Sequence, residues 1–169
     1  MTSYVALLRA VNVGGTGKLP MSELKAMAEA CGFTKVRTYI ASGNVVFDSM
    51  LDEAEVKAAL ETRLAAYAGK AVPVLVRTSE QIAAVLAANP FPDAAPNRTV
   101  AIFLDDVPPS DALDIVSGLR GEEMRLGMRE IYIHYGGGMA GSKLKIPAAK
   151  AGTARNINTV GMLAAMAKA

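Results

Sequence analysis

The chain has 169 residues, 51% of them apolar and 20% charged, an ordinary globular composition that can bury a core without staples. A formal charge of +2 is too small to announce nucleic acid or an anionic membrane by itself, and the single cysteine, Cys31, excludes an internal disulfide. No run of about 18 uninterrupted apolar residues occurs and the first residues lack a signal-peptide pattern, so a cytoplasmic protein with no membrane partner is expected.

Residues 4–9 read as a strand, and after the glycine-rich stretch that follows, Pro20 opens a helix to Cys31. Met21, Leu24, Met27, Ala28 and Cys31 share its apolar stripe, which predicts a buried thiol, and Gly32 is its stop. Strands at 35–40 and 44–48, joined by Ala41-Ser42-Gly43, form an antiparallel hairpin. A helix over 52–68 turns Val56, Leu60 and Leu64 inward and is closed by Gly69. Residues 72–77 form a strand whose Pro73 marks its start or a sheet edge. Thr78 or Ser79 then caps a short helix carrying Ile82, Val85 and Leu86, which ends before Asn89-Pro90.

Residues 89–97 hold three prolines and little apolar content and make the best internal boundary, between a first half at 1–88 and a second at 98–169. The order of the first half then recurs: a strand at 99–104, a helix at 110–119, strands at 124–128 and 131–135, and a closing helix from about Ala154 with Thr153 as its cap. Val5-Ala6-Leu7-Leu8 aligns with Val100-Ala101-Ile102-Phe103, so an internal duplication is expected. Strand-helix-strand-strand-helix-strand is the ferredoxin-like split βαβ order. The predicted fold is therefore α+β with two such halves, antiparallel sheets and helices packed on them, the second half incomplete and lacking or borrowing its last strand. A single mixed sheet with helices on both faces is the alternative.

The stretch Arg9-Ala10-Val11-Asn12-Val13-Gly14-Gly15-Thr16-Gly17-Lys18 places glycines, an amide and two cations where a strand hands over to a helix. Backbone N–H groups gather anions at such a junction. The corresponding crossing of the second half, Asp105-Asp106-Val107-Pro108-Pro109, is short and acidic, so architecture alone does not demand the longer basic version. A flexible glycine turn with a solvated lysine explains the stretch equally well. It is not a Walker A loop, because Asn12 replaces the first glycine and Leu19 the magnesium-binding hydroxyl. A second glycine-rich loop, Gly136-Gly137-Gly138-Met139-Ala140-Gly141-Ser142-Lys143, runs into Leu144-Lys145-Ile146-Pro147, which is no helix start.

Ser42 and Asn44 flank Gly43 at the hairpin, where turn chemistry explains them without a ligand. Antiparallel pairing with the first strand is expected to put this turn near that strand's start, away from the glycine stretch. Arg155 and Asn156 fall in the expected first turn of the last helix, where a cation opposes the dipole and so answers an anion or sits as a plain surface arginine. His134, the one histidine, alternates on a strand as a structural residue, and no His, Cys and carboxylate spacing suits a metal. No cofactor is expected. Sheet-face RNA reading would need exposed aromatics on central strands, where Tyr4 and Phe47 are available and serve equally well as core.

Leu7-Leu8-Arg9-Ala10-Val11-Asn12-Val13-Gly14-Gly15, Lys18-Leu19-Pro20-Met21, Gly32-Phe33 and the segment from Val36 through Ser42-Gly43-Asn44 to Phe47 resemble the opening signature of the bacterial family named domain of unknown function 1697. Ser142-Lys143-Leu144 and Thr153-Ala154-Arg155-Asn156-Ile157-Asn158-Thr159-Val160 resemble its later signatures, with Ile157 where the family usually has tryptophan and a short segment after Lys143. The resemblance implies ferredoxin-like halves and no established activity, and it lets the segments around Arg9–Lys18, Ser142-Lys143 and Arg155-Asn156 be considered together. The leading expectation is a module binding a small phosphorylated or anionic ligand, a nucleotide or RNA backbone included, through Gly14 and Gly15 amides with Arg9, Asn12, Lys18, Ser42, Asn44, Lys143, Arg155 and Asn156. The alternatives are an acylphosphatase-like acyl or phosphoryl hydrolase or transferase, which is fold-level analogy, and a regulatory protein-interaction module.

Overall fold

The structure is a computed structural model that describes residues 1–9, 19–40 and 43–168. Two compact units divide the chain, Met1–Ile82 with Leu163–Ala169, and Ala83–Met162.

The first unit begins with β1 (Thr2–Leu8), whose residues from Val5 to Leu8 are completely buried. A central strand covered on both faces reads as a continuous apolar run. Helix α1 (Met21–Ala30) starts after the extended Pro20 and buries Leu24, Met27 and Ala28. Strands β2 (Thr34–Tyr39) and β3 (Asn44–Ser49) follow, then α2 (Glu53–Ala68). Helix α2 is bounded by chemistry visible in the sequence. Asp52 and Glu55 form a reciprocal capping box at its start, and Gly69 at φ 71° takes the left-handed position at its end. Strand β4 (Val74–Thr78) completes an antiparallel sheet in the order β2-β3-β1-β4. Tyr4, Ala6, Leu8, Val45, Phe47 and Val76 pack under the buried faces of α1 and α2, and the Phe33 ring stacks on Phe47 at 4.3 Å between centroids. Helix α3 (Ser79–Ala87) is capped by Thr78, whose Oγ1 accepts from Gln81 N while its own N–H donates to Gln81 Oε1.

In the second unit, β5 (Thr99–Phe103), β6 (Glu123–Leu126), β7 (Glu130–His134) and β8 (Thr153–Asn156) form a second antiparallel sheet in the order β6-β7-β5-β8, the same spatial order as the first. Helix α4 (Ile157–Lys168) follows directly.

Three expectations are corrected here. The fourth strand of the second sheet is present as β8, where a helix cap was expected. The helix expected at 110–119 is a 3-10 turn, Ala112–Asp114, and a second such turn, Pro147–Ala149, occupies the β7-to-β8 crossing. Leu113 and Val116 still pack on the local core of Val100, Ile131, Ile133 and Ile146, so their helical spacing reflects burial without helix. Cys31 is only half-buried as the residue capping the C-terminal end of α1, and partial burial raises its thiol above the ordinary value, against the Arg63 charge that lowers it. Among the described residues, no helix is long and apolar enough to cross a membrane.

Candidate functional site

Of the expected ligand-binding residues, Asn12, Gly14, Gly15, Lys18 and Ser42 lie outside the described residues. Arg9 and Asn44 belong to the first unit; Lys143, Arg155 and Asn156 belong to the second.

Register decides what meets at the end of β1. Thr2 pairs with Ser49 and Leu7 with Asn44, so the β2–β3 turn lies beside the end of β1, opposite to the expectation. The reason is elementary: in an antiparallel pair the start of one strand faces the end of the other. Leu8 N donates to Gly43 O at 2.8 Å, and Arg9 N donates to Pro73 O at 3.0 Å, so Gly43 and the residue before β4 flank the end of β1. Asn44 is fully buried, and its Nδ2 donates to Tyr39 O at 2.8 Å, closing the hairpin. Ile40 in that hairpin sits at φ 50° while 47% exposed. A β-branched residue in the left-handed region is strained, and such outliers cluster at functional positions.

Arg155 is not in a helical turn. It lies on β8 opposite Ala101, is 6% exposed, and its Nη1 donates to Thr153 Oγ1 at 2.7 Å and to Ala154 O at 2.9 Å. Desolvation draws its guanidinium down to about 10, so it remains charged at neutral pH. The helix cap is Asn156, whose Oδ1 accepts from Thr159 N at 2.9 Å. Sequence reading passed over a counterpart: Arg77, 1% exposed on β4, also donates Nη1 to the preceding carbonyl, Val76 O, at 3.0 Å. Each sheet thus buries one arginine on its fourth strand. The signal available was an arginine closing the otherwise apolar run Val74-Leu75-Val76.

Lys143 is exposed on the second glycine-rich loop. His134 Nδ1 lies 3.2 Å from Thr99 Oγ1, and its ring lies 6.0 Å from that of Phe91. Tyr4 and Phe47 are 4% and 0% exposed beneath the helices, so they are core and form no stacking platform. Among the described residues, no group of three or more His, Cys, Asp or Glu gathers as a metal would require.

Two split βαβ-type sheets of identical strand order, the second with turns in place of its crossover helices, define an α+β protein of ferredoxin-like halves. The chain belongs to the DUF1697 family, described as a protein of unknown function, which matches residues 1–132. It is similar in structure to the conserved bacterial protein SP0830 from Streptococcus pneumoniae, with TM-score 0.81 and 26% identity over 98% of each chain. A comparison with curated proteins finds no match.

Proposed function

We propose that this protein is a binding module for a small phosphorylated or otherwise anionic ligand, seated where β1 hands over to the Arg9–Lys18 segment. The supporting observation is the register that sets the Gly43 turn against the end of β1, with Leu8 N donating to Gly43 O. Gly43 and Asn44 thereby stand beside Leu7 and Leu8, the residues that lead into Arg9. Arginine supplies a planar fork suited to phosphate, and glycines allow close approach of the backbone to an anion. Arg155, being buried on β8, has no part in this reading.

Thermal-shift titration with inorganic phosphate, pyrophosphate and adenosine nucleotides tests it. A ligand at 100-fold excess over its Kd stabilises by about 2.7 kcal/mol. That shift should disappear in Arg9→Ala and in Lys18→Ala. No shift with any of these anions, or a shift unchanged in both variants, sinks the proposal.

A further inference from the structure

The second glycine-rich loop builds an open cleft of about 220 Å³ within the second unit. One side is the segment leading into β6, with Arg120, Gly121 and Glu122; the other is the loop, with Gly136, Gly137, Gly141 and Ser142. Both sides are pinned. Ser117 and Lys145 exchange backbone hydrogen bonds at 3.0 and 2.8 Å, and a Cβ on Gly118 would lie 2.0 Å from Lys143 O, so these strands of the loop touch backbone to backbone. Arg98 Nη1 holds Gly136 O at 2.9 Å. Across the cleft the Glu122 carboxylate accepts from Ser142 Oγ and from Arg120 N, each at 2.5 Å.

The glycines are the unexplained part. Gly138, at φ 90°, needs to be glycine for its backbone. Gly136, Gly137 and Gly141 do not: their φ lies outside the left-handed region, and an added Cβ would meet nothing within 4 Å. Neither conformation nor packing within the chain requires glycine at these positions. What remains is space kept open beside a bare backbone. No acceptor among the described residues takes the N–H of Gly136, Gly137 or Gly141, whereas Gly138 N donates to Tyr135 O and Ser142 N to Met139 O. These three N–H groups and the Arg120 guanidinium are donors that the lining residues can offer a ligand. The Glu122 carboxylate, held by Ser142 Oγ and Arg120 N, is an acceptor that suits a hydroxyl and opposes a bare anion.

We propose that this cleft binds a small phosphate monoester bearing a free hydroxyl, its phosphate on the Gly136, Gly137 and Gly141 amides with Arg120, and its hydroxyl on Glu122. The site lies wholly in the second unit and stands independently of the ligand site at the end of β1.

The test is an amide-resolved NMR titration of the full 15N-labelled chain with ribose 5-phosphate, inorganic phosphate and ribose as probes. Ribose 5-phosphate should move the Gly136, Gly137 and Gly141 amides, with inorganic phosphate binding more weakly and ribose not at all. Gly137→Ala should keep the melting temperature, because its Cβ enters empty space at an unstrained φ. It should nevertheless weaken binding roughly tenfold or more, as should Arg120→Gln, which removes a charged donor. Stationary glycine amides, or parent-like binding in both Gly137→Ala and Arg120→Gln, overturns the proposal. Movement of the Leu8 and Gly43 amides with the Gly136, Gly137 and Gly141 amides stationary would assign the ester to β1 instead. Equal affinity for inorganic phosphate removes the role given to Glu122.

Discussion

Removing the Glu61 carboxylate should both destabilise the first unit and open one edge of its sheet. In the order β2-β3-β1-β4, β4 is an edge strand, and the outward groups of Val74 are met by α2 side chains. Val74 N donates to Glu61 Oε2 at 2.9 Å, Lys57 Nζ donates to Val74 O, and the two side chains pair at 2.9 Å. A hydrogen bond to a charged acceptor contributes roughly 1.5–3 kcal/mol. The i,i+4 ion pair adds only about 0.3–0.5 kcal/mol, and with 29% and 34% of the two side chains exposed the lower end applies. Glu61→Ala should therefore cost about 2 kcal/mol, a fall in melting temperature of roughly 4–8 °C for a chain this size. Glu61→Gln keeps a neutral acceptor for Val74 N–H and should lose about half as much. The assay is thermal unfolding by circular dichroism, with light scattering on a sizing column to detect edge-to-edge association. A melting temperature unchanged within about 1 °C, together with an unchanged mass, would refute the view that these side chains guard the strand.

Ile40→Asn should raise stability by about 1 kcal/mol, because asparagine tolerates the left-handed φ 50° that strains a β-branched residue; a lower denaturation midpoint would contradict the strain. Tyr132→Phe should cost roughly 1–3 kcal/mol in chemical denaturation, since the buried hydroxyl donates to Val85 O, a carbonyl in the last turn of α3, at 2.8 Å. The same phenol is raised from 10.0 to about 12, first by burial and then by the Glu130 charge. Its contribution is thus full below its ordinary value and fades as pH climbs from about 10 towards 12. Tyr132→Phe should flatten that part of the alkaline stability profile, and an unaltered slope would count against it. Gly118→Ala should be among the most damaging single changes, because φ 73° and a Cβ 2.0 Å from Lys143 O both oppose it; soluble, parent-like protein would show that the Ser117–Lys145 staple gives way easily.

The first unit was legible because its elements carry their own punctuation. Pro20, the Asp52-Glu55 box and Gly69 delimit helices whose apolar residues recur at helical spacing. The second unit carries less. β8 escaped notice because the residues it turns inward are Thr153 and Arg155, so the alternation of burial is not an alternation of hydropathy. The segment around Ala112, Leu113 and Val116 misled for the opposite reason, having helical spacing on backbone that turns only once. At the candidate site, the residue types at the end of β1 and the antiparallel pairing were both readable, and that pairing by itself sets the start of β3 against the end of β1. The cleft beside Gly137 was harder still, because a glycine that leaves space is distinguished from one that makes a turn only once φ and neighbours are known.

The membership of Leu163–Ala169 in the first unit, where Arg37 Nη1 donates to Met166 O at 2.7 Å, bears on how the protein is made. The ribosome releases β1 to β4 long before the stretch that completes their unit. At about 5–20 residues per second, the intervening segment Ala83–Met162 takes roughly 4–16 s to synthesise. Through that interval the nascent first unit is a fold waiting for its last helical turns. A ribosome stalled before Leu163 should hold a chain that proteases and chaperones recognise, even though its whole N-terminal sheet has already emerged.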